Sequence, residues 1–304
     1  MLNKVVHNNK KMKKSNKVIL FASLIVLSAV LIFAKKADLN HKGTPQYIPT
    51  SIEFCGEKTP LQITDVKERF QRELLVNSYL QSSTLLIMKR ANRFFPTIEP
   101  ILKENNIPDD FKYLCVIESS LTNATSPAGA KGFWQFMPET AKEKGMEINE
   151  SVDERYNLVK ATNAACKYLQ SAKDKFGNWT SAAASYNGGM SGISKNLEAQ
   201  KVDSYYDLLL TDETQRYVFR ILALKEIMQN PKLYGFNLEK NELYESIPTK
   251  IIEVDSTISD LATFAKTQGI NYKILKLHNP WLRDKKLVNL AKKKYQIEIP
   301  TTGY

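Results

Sequence analysis

The amino-acid sequence predicts a mostly α-helical protein that ends in a small β-α-α-β unit and begins with one N-terminal membrane-spanning helix. Three observations indicate this fold class. They are an uncharged apolar run near the N-terminus, apolar residues spaced by threes and fours from residue 64 onward, and strand-like segments confined to the chain after Pro231. With 304 residues, of which 43% are hydrophobic, the chain can bury a sizeable core.

The first 42 residues hold most of the positive charge. Nine lysines and one aspartate there account for +8 of the formal net charge of +11, so a basic, nucleic-acid-binding fold is not indicated. Six lysines precede the uncharged run 18–34, whose 17 residues are near the lower limit for crossing a bilayer. The positive-inside bias places residues 1–17 in the cytoplasm and the chain after the run on the periplasmic, extracytoplasmic side of the inner membrane. We expect an uncleaved signal anchor, with a cleavable signal peptide as the alternative.

The next segment, residues 35–60, mixes Lys, Pro, Thr and Gly without periodicity, which predicts a linker. A helical domain is predicted over residues 61–230, because apolar residues recur at helical spacing there. Its predicted helices are 64–79, 83–95, 108–119, 138–144, 158–176, 179–186, 204–210 and 212–229. Two glycine-containing loops, 126–132 and 187–192, separate some of them.

The C-terminal part has a different pattern. Residues 231–248 are predicted to be a second linker, and residues 249–301 a compact β-α-α-β unit. Its predicted elements are a strand at 251–254, helices at 257–268 and 272–278, and a closing strand at 295–300.

The composition also excludes some chemistry. The three histidines are His7, His41 and His278, so the helical domain has no Ser-His-Asp or Cys-His nucleophile and no His-ligated zinc. We expect neither a metal nor a cofactor. Cys115 and Cys166 lie in apolar helical contexts and are expected to be buried free thiols, with a disulfide between them as the alternative.

Glu118 is the first candidate catalytic residue. Phe111, Leu114, Cys115 and Glu118 lie at i, i+3, i+4 and i+7, so a carboxyl group continues an apolar stripe. Desolvation would raise its pKa, as a general acid near neutral pH requires. In the alternative, Glu118 turns to water at the helix end.

The segment after this helix is the second candidate region. Glycines in the loop 126–132 permit close approach of a ligand to the backbone. Trp134, Phe136 and Met137 follow, and core packing explains two of the three. Gln135 is polar within this apolar run and needs a hydrogen-bond partner if it is buried.

Three blocks of sequence resemble the signature of soluble-lytic-transglycosylase-like domains, glycoside hydrolase family 23, in its membrane-bound type D branch. Their order and separation match over residues 105–228. The blocks are Glu118-Ser119 with Ala124, Ser126, Gly129-Ala130, Gly132, Gln135-Phe136-Met137-Pro138 and Thr140-Ala141; Ser185-Tyr186-Asn187-Gly188-Gly189; and Glu213-Thr214 with Tyr217-Val218. The segment 118–126 is one residue shorter than the usual pattern and lacks its Asn-Pro, and Ser185 replaces the common Ala, which weakens the assignment of Ser126.

This resemblance implies a lysozyme-like α domain of the goose-type and lytic transglycosylase kind. Such domains cleave the β-1,4 bond between N-acetylmuramic acid and N-acetylglucosamine in peptidoglycan and form a 1,6-anhydromuramoyl product. Glu118 matches the catalytic acid, which later acts as the base. The residues that match those around the sugar or the acid are Ser126, Gln135, Met137, Tyr186, Asn187, Glu213 and Tyr217. Tyr186 could equally be a packed core residue, and Glu213 a structural acid at a helix start.

The C-terminal unit resembles a LysM glycan-binding module. The matching residues are Ile252 to Val254, Asp255-Ser256-Thr257-Ile258, Asp260-Leu261-Ala262, Leu275 with Asn279-Pro280-Trp281-Leu282, and Ile297 with Ile299-Pro300. The glycine that usually precedes the Asp-Thr pair is absent.

Together these features predict an enzyme of the cell envelope that binds peptidoglycan strands, with cell-wall synthesis or remodelling proteins as further candidate partners. Two alternatives stay open. One is a hydrolase of the goose-type lysozyme kind that cuts the same bond with water. The other is a noncatalytic protein that binds peptidoglycan.

Overall fold

A computed structural model describes residues 47–303, so the predicted cytoplasmic segment and signal anchor lie outside the described residues. Within 47–303, no helix combines the length and apolar character needed to cross a bilayer. The described chain is mostly helical, as the sequence predicts, and a short two-stranded sheet lies near each of its ends.

The larger part, called the helical unit, contains eight helices among the described residues. They are α1 (Thr64–Tyr79), α2 (Gln81–Glu104), α3 (Phe111–Ser119), α4 (Pro138–Glu143), α5 (Leu158–Phe176), α6 (Trp179–Gly188), α7 (Met190–Gln200) and α8 (Asp212–Gln229). One-turn 3-10 helices occur at Glu154–Tyr156, Tyr205–Asp207, Pro231–Tyr234 and Lys240–Glu242. The strands β1 (Glu53–Phe54) and β2 (Glu57–Lys58) form an antiparallel hairpin before α1.

Two helices form the centre of this unit. In α3, seven of the nine residues are buried, including Phe111, Leu114 and Cys115. In α8, the buried positions include Tyr217, Val218 and Leu222, and the helix packs against α1, α3 and α6. Because both helices lie inside the core, side chains at their ends are held in fixed positions.

Two of the buried side chains in this core are cysteines. Cys115 and Cys166 are buried and free, as predicted, so the alternative disulfide is not present. Burial raises the pKa of the Cys166 thiol to about 12, which leaves it unreactive near neutral pH.

Several elements differ from the sequence prediction. Helix α2 does not end before Pro96 but continues through Pro96 and Pro100 to Glu104. Beyond these prolines, Ile98 and Leu102 are fully buried, and their burial outweighs the hydrogen bonds that proline removes. The region 204–210 is a single 3-10 turn rather than a helix, and α7 occupies part of the predicted loop 187–192.

Parts of both predicted linkers are folded. Of the predicted linker 35–60, the described residues include the β1–β2 hairpin, whose Phe54 is 0% exposed and packs edge-on against Phe111. In the predicted linker 231–248, Tyr234 and Phe236 are buried in the core of the helical unit. Aromatic residues within short irregular segments thus decide the packing of both regions.

The C-terminal module consists of β3 (Thr249–Val254), α9 (Leu261–Thr267), α10 (Tyr272–His278) and β4 (Tyr295–Pro300). The two strands pair antiparallel, with Ile252 opposite Ile297. Helix α9 starts at Leu261 rather than at the predicted residue 257, because the Asp260 carboxylate accepts the backbone N–H groups of the first turn. The predicted β-α-α-β order is confirmed.

Candidate active site

Glu118 is the second-last residue of α3, and the chain changes direction directly after this helix. Ser120 and Leu121 are both left-handed, with φ of 52° and 55°, a rare conformation for residues with side chains. The Arg90 guanidinium donates to the Ser120 carbonyl at 3.1 Å, and the Leu121 side chain is buried. The sharp turn therefore ends the helix one residue beyond the candidate acid.

The Glu118 carboxyl group has one hydrogen-bond partner among the described residues. The Tyr217 hydroxyl, from α8, donates to Glu118 Oε1. Arg220, one turn further along α8, donates to the Ile117 carbonyl at 3.1 Å, which places its positive charge near the acid. No hydrogen bond within residues 47–303 engages Glu118 Oε2.

The environment of Glu118 disfavours its ionised form. Burial raises the pKa of this carboxyl from 4.5 to about 7, and the negative charge of Glu213 adds to the rise. The hydrogen bond from Tyr217 and the charge of Arg220 oppose it. Desolvation is the largest effect, so the group is a mixture of acid and carboxylate near neutral pH, although the residue keeps part of its surface in contact with solvent.

Tyr186 lies between Glu118 and the loop that follows α3. Its hydroxyl donates to the Trp134 carbonyl at 2.8 Å, and its ring meets those of Phe136 and Tyr168. Burial raises the pKa of Tyr186 well above its ordinary value, and the charge of Glu118 adds to this shift. Tyr186 is therefore both packed and close to the acid.

Asn187 and Glu213 form a polar link between α6 and α8. The Asn187 amide donates to Glu213 Oε1 at 3.3 Å and accepts from the Thr214 hydroxyl at 2.8 Å. A Cβ atom at Gly188, beside them, would lie 2.9 Å from the Thr214 methyl group, so a side chain there would force a local shift. This link holds Glu213 close enough to affect the ionisation of Glu118.

Ser126 and Gln135 belong to the glycine loop, defined here as residues 124–136. The Ser126 hydroxyl accepts the Ala130 N–H at 3.0 Å, which closes the turn. Gln135 is left-handed, with φ of 47°, and its amide donates to the carbonyls of Ala124 and Gly132 at 3.1 and 2.7 Å. The polar side chain predicted to need partners therefore has them within the loop.

Of the three apolar residues around Gln135, two pack in the core, as expected. Trp134 and Phe136 are in the core, whereas Met137 is 40% exposed directly before α4. An exposed thioether at the end of the glycine loop is available to an apolar face of a ligand.

The structure thus groups the predicted residues into two parts. Glu118, Tyr186, Asn187, Glu213 and Tyr217 are brought together by α3, α6 and α8. The glycine loop carries Ser126 and Gln135, with Met137 directly after it, and joins this group through the contact of Trp134 with Tyr186.

Sequence reasoning missed Arg220. Its spacing of three residues from Tyr217 on α8 could have indicated that both face Glu118. No cluster of three or more His, Cys, Asp or Glu side chains in residues 47–303 is arranged to hold a metal ion.

Two regions of the chain match known protein families. Residues 96–208 match the family described as Transglycosylase SLT domain, and residues 250–303 match the family described as Soluble lytic transglycosylase C-terminal LysM-like domain. Glu118 near the end of α3, the glycine loop and Tyr186 of α6 all lie within the region that matches the SLT domain family. The resemblance found in the sequence is confirmed.

The chain is also similar to individual proteins. It is 32% identical over 235 residues to "Membrane-bound lytic murein transglycosylase D" of Escherichia coli (strain K12), an alignment that covers 74% of this chain and 50% of that protein. It is 29% identical over 159 residues to "Putative tributyltin chloride resistance protein" of Alteromonas sp. (strain M-1), which covers 51% of this chain and 77% of that protein. The chain is homologous to lytic murein transglycosylase D and spans about half of its length.

Proposed function

We propose that this chain is a peptidoglycan lytic transglycosylase. It would cleave the β-1,4 bond between N-acetylmuramic acid and N-acetylglucosamine and leave a 1,6-anhydromuramoyl end. The observation that carries the proposal is the Glu118 carboxyl group, which is partly buried, accepts a hydrogen bond from Tyr217 and has a pKa of about 7. The family match and the homology to a lytic murein transglycosylase support the same activity.

The first step needs an acid. Protonated Glu118 donates its proton to the glycosidic oxygen as the C1–O bond breaks, and N-acetylglucosamine leaves with its new hydroxyl group. A pKa near the working pH keeps a large fraction of the carboxyl protonated while leaving it acidic enough to donate. Tyr217 donates to Oε1 and fixes the carboxyl orientation, so Oε2 is the oxygen available to the sugar.

The second step needs a base, and the same group serves. The Glu118 carboxylate takes the proton of the muramoyl C6 hydroxyl, whose oxygen attacks C1 and closes the 1,6-anhydro ring. The Tyr217 hydroxyl and the charge of Arg220 favour the carboxylate at this stage. The family resemblance implies that the substrate's 2-acetamido group stabilises the positive charge at C1.

The remaining predicted residues would bind the glycan. Tyr186 presents an aromatic ring beside the acid, and Asn187 with Glu213 offers polar atoms on the α6–α8 side. Gln135, Ser126 and the exposed Met137 would contact the strand along the glycine loop. The C-terminal module matches a LysM-like family, which supports peptidoglycan as its ligand too.

The N-terminal sequence also supports a proposal for the cellular location. The basic segment 1–17 and the apolar run 18–34 support a single-pass anchor in the inner membrane, with the catalytic domain on the periplasmic side. Homology to a protein named as membrane-bound agrees with a cell-envelope location. Cell-wall synthesis or remodelling proteins remain candidate partners there.

Analysis of the products from purified sacculi tests the activity. The native protein should release muropeptides with 1,6-anhydromuramoyl ends, and Glu118→Gln should lower the rate about 100- to 10,000-fold because the amide cannot donate and then accept a proton. Mass spectrometry distinguishes anhydro ends from reducing ends, which are heavier by one water.

The matched control is Glu68→Gln, which removes an exposed carboxyl group on α1 and should leave the rate unchanged. Reducing ends would indicate the hydrolase. Intact sacculi after incubation with folded native protein would indicate the noncatalytic alternative.

A further inference from the structure

The C-terminal module is fastened to the helical unit by a short segment far from it in sequence. This docking segment, residues 147–156, forms a tight turn in which Ile148 pairs with Asp153. Its residue Val152 pairs with Leu282 of the module. The Asp153 N–H donates to the Trp281 carbonyl at 2.9 Å, and the Arg283 N–H donates to the Ser151 carbonyl at 2.8 Å.

The same segment contributes to the hydrophobic core of the module. Val152 and Tyr156 are buried together with Leu261, Trp281 and Leu282. The Arg283 guanidinium lies over the Tyr156 ring, 4.2 Å from its centroid, which is a short cation–π distance.

Charged groups add to this contact. Lys293 of the module bridges Glu147 and Glu154 of the docking segment, and the Tyr295 hydroxyl also donates to Glu147. The attachment therefore combines strand pairing, apolar burial and ion pairs.

A second set of contacts restricts the motion of the segment that connects the helical unit to the C-terminal module. Residues 244–246 run along α2, where the Tyr244 N–H donates to the Lys89 carbonyl and the Arg93 guanidinium donates to the Glu245 carbonyl at 2.9 Å. The Ser246 hydroxyl donates to the Arg93 carbonyl at 3.1 Å. A module held at two places is not a flexibly tethered binding unit.

The opposite side of the docking segment holds the glycine loop. Arg155 is 3% exposed, and its Nη1 donates to the carbonyls of Gly129 and Phe136, both at 3.2 Å, so one guanidinium joins the two sides of the loop. Asp153 fixes that guanidinium through two contacts, to Nε at 2.9 Å and to Nη2 at 2.7 Å.

Two further contacts join the docking segment to the glycine loop. The Tyr156 hydroxyl shares a hydrogen bond of 3.0 Å with the Thr125 hydroxyl at the start of the glycine loop. A Cβ atom at Gly132 would lie 1.9 Å from the Arg155 carbonyl oxygen, so the loop and the docking segment touch backbone to backbone.

We infer that the C-terminal module is a fixed part of the active site that holds the glycine loop in its substrate-binding conformation, with Arg155 and Tyr156 as positioning residues. Asp153 binds the module through its backbone and Arg155 through its carboxylate, and Tyr156 packs under Arg283 while its hydroxyl reaches Thr125. The loop in turn presents Gln135 and places the Trp134 carbonyl against Tyr186. The positioning of the glycine loop by the module does not depend on the proposed function. Only the expected effect on turnover rests on it.

The experiment uses the whole chain and two single substitutions. Tyr156→Phe keeps the buried ring and removes the hydroxyl, and Arg283→Ala removes the cation above that ring without touching the loop. Lys266→Ala, at an exposed position on α9, is the matched control. Amide hydrogen exchange of residues 124–136 is measured without substrate, beside the exchange of α5 and α8.

Both test variants should raise exchange in the glycine loop about fivefold, as expected for loss of one such contact, and leave α5 and α8 unchanged. The kcat/KM for a soluble peptidoglycan tetrasaccharide should fall about fivefold, mainly through KM, because the loop contacts sugar whereas Glu118 is untouched. Arg283→Lys, which restores a cation, should recover part of both effects.

Loop exchange equal to that of the native protein in folded Tyr156→Phe and Arg283→Ala would overturn the inference. So would a uniform rise in exchange across α5 and α8, which indicates a general loss of stability. If the native protein cleaves neither sacculi nor the tetrasaccharide, the proposed function is wrong, and the exchange measurement still decides whether the module positions the loop.

Discussion

Two carboxyl groups in this protein, one fully buried and one partly buried, have neighbouring partners on α8. Glu73, on α1, is 1% exposed and receives hydrogen bonds from Arg216, at 2.7 Å to Oε1 and 3.4 Å to Oε2. Glu118, on α3, receives its hydrogen bond from Tyr217, the next residue of the same helix. The two carboxyl groups differ mainly in whether the direct partner is a cation or a neutral hydroxyl.

That difference decides what each group can do. The guanidinium groups of Arg216 and Arg72 balance the charge of Glu73, and the pKa of Arg216 is raised because it binds Glu73. Tyr217 offers one hydrogen bond and no charge, so desolvation dominates at Glu118 and the pKa of its carboxyl rises to about 7. A paired buried charge holds helices together, whereas a buried carboxyl without a directly bound cation can exchange a proton.

The largest expected effect in this comparison is on stability. Glu73→Gln removes the buried charge that Arg216 and Arg72 share between α1 and α8, leaves the exposed Asp212 as the remaining acidic partner of Arg216, and should lower the free energy of unfolding by about 2 kcal/mol. Urea unfolding at pH 7 measures it. The activity per folded molecule should stay within about twofold of the native value, because Glu73 does not contact Glu118. A large loss of activity without a change in stability would show that Glu73 belongs to the site.

The next effect is on the acid itself. Tyr217→Phe removes the only hydrogen bond that the described residues make to the Glu118 carboxyl, so kcat/KM at pH 7 should fall about tenfold. The same hydrogen bond lowers the pKa of Glu118, so its loss should raise that pKa further and move the alkaline limb of the pH profile to higher pH. A limb that moves to lower pH would contradict this account.

The smallest effects form a pair of opposite sign. Arg220 lowers the pKa of Glu118 and Glu213 raises it. Arg220→Gln should therefore shift the alkaline limb upward and Glu213→Gln should shift it downward, and both shifts should be small because solvent screens the contributing charges. Profiles recorded beside Glu68→Gln, which should superimpose on the native curve, check both signs. Shifts in the same direction would mean that these residues act through structure instead of charge.

Much of the acid site could be predicted from the sequence because its signals are local. Glu118 continues the apolar spacing of Phe111, Leu114 and Cys115 on one short helix, and Tyr217 lies in a compact sequence block. The glycines of the loop are expected to admit a ligand, but at Gly132 the structure shows a close approach to the Arg155 backbone instead.

The rest of the site depends on contacts between distant parts of the chain. Arg155 lies between Glu154 and Tyr156 and reads as an ordinary charged residue, because its partners Gly129 and Phe136 belong to another segment. The continuation of α2 through Pro96 depends in the same way on the burial of residues beyond it. Local propensity cannot indicate either, since tertiary packing outweighs it.

The hydrophobic core of the C-terminal module contains two residues of the helical unit, Val152 and Tyr156. Local melting of the module would expose both of them and free the segment on which Arg155 lies. Local unfolding of the module is therefore coupled thermodynamically to opening of the glycine loop. The module and the helical unit are expected to unfold in one cooperative transition. Residues of the C-terminal module therefore help to determine how rigid the glycine loop is.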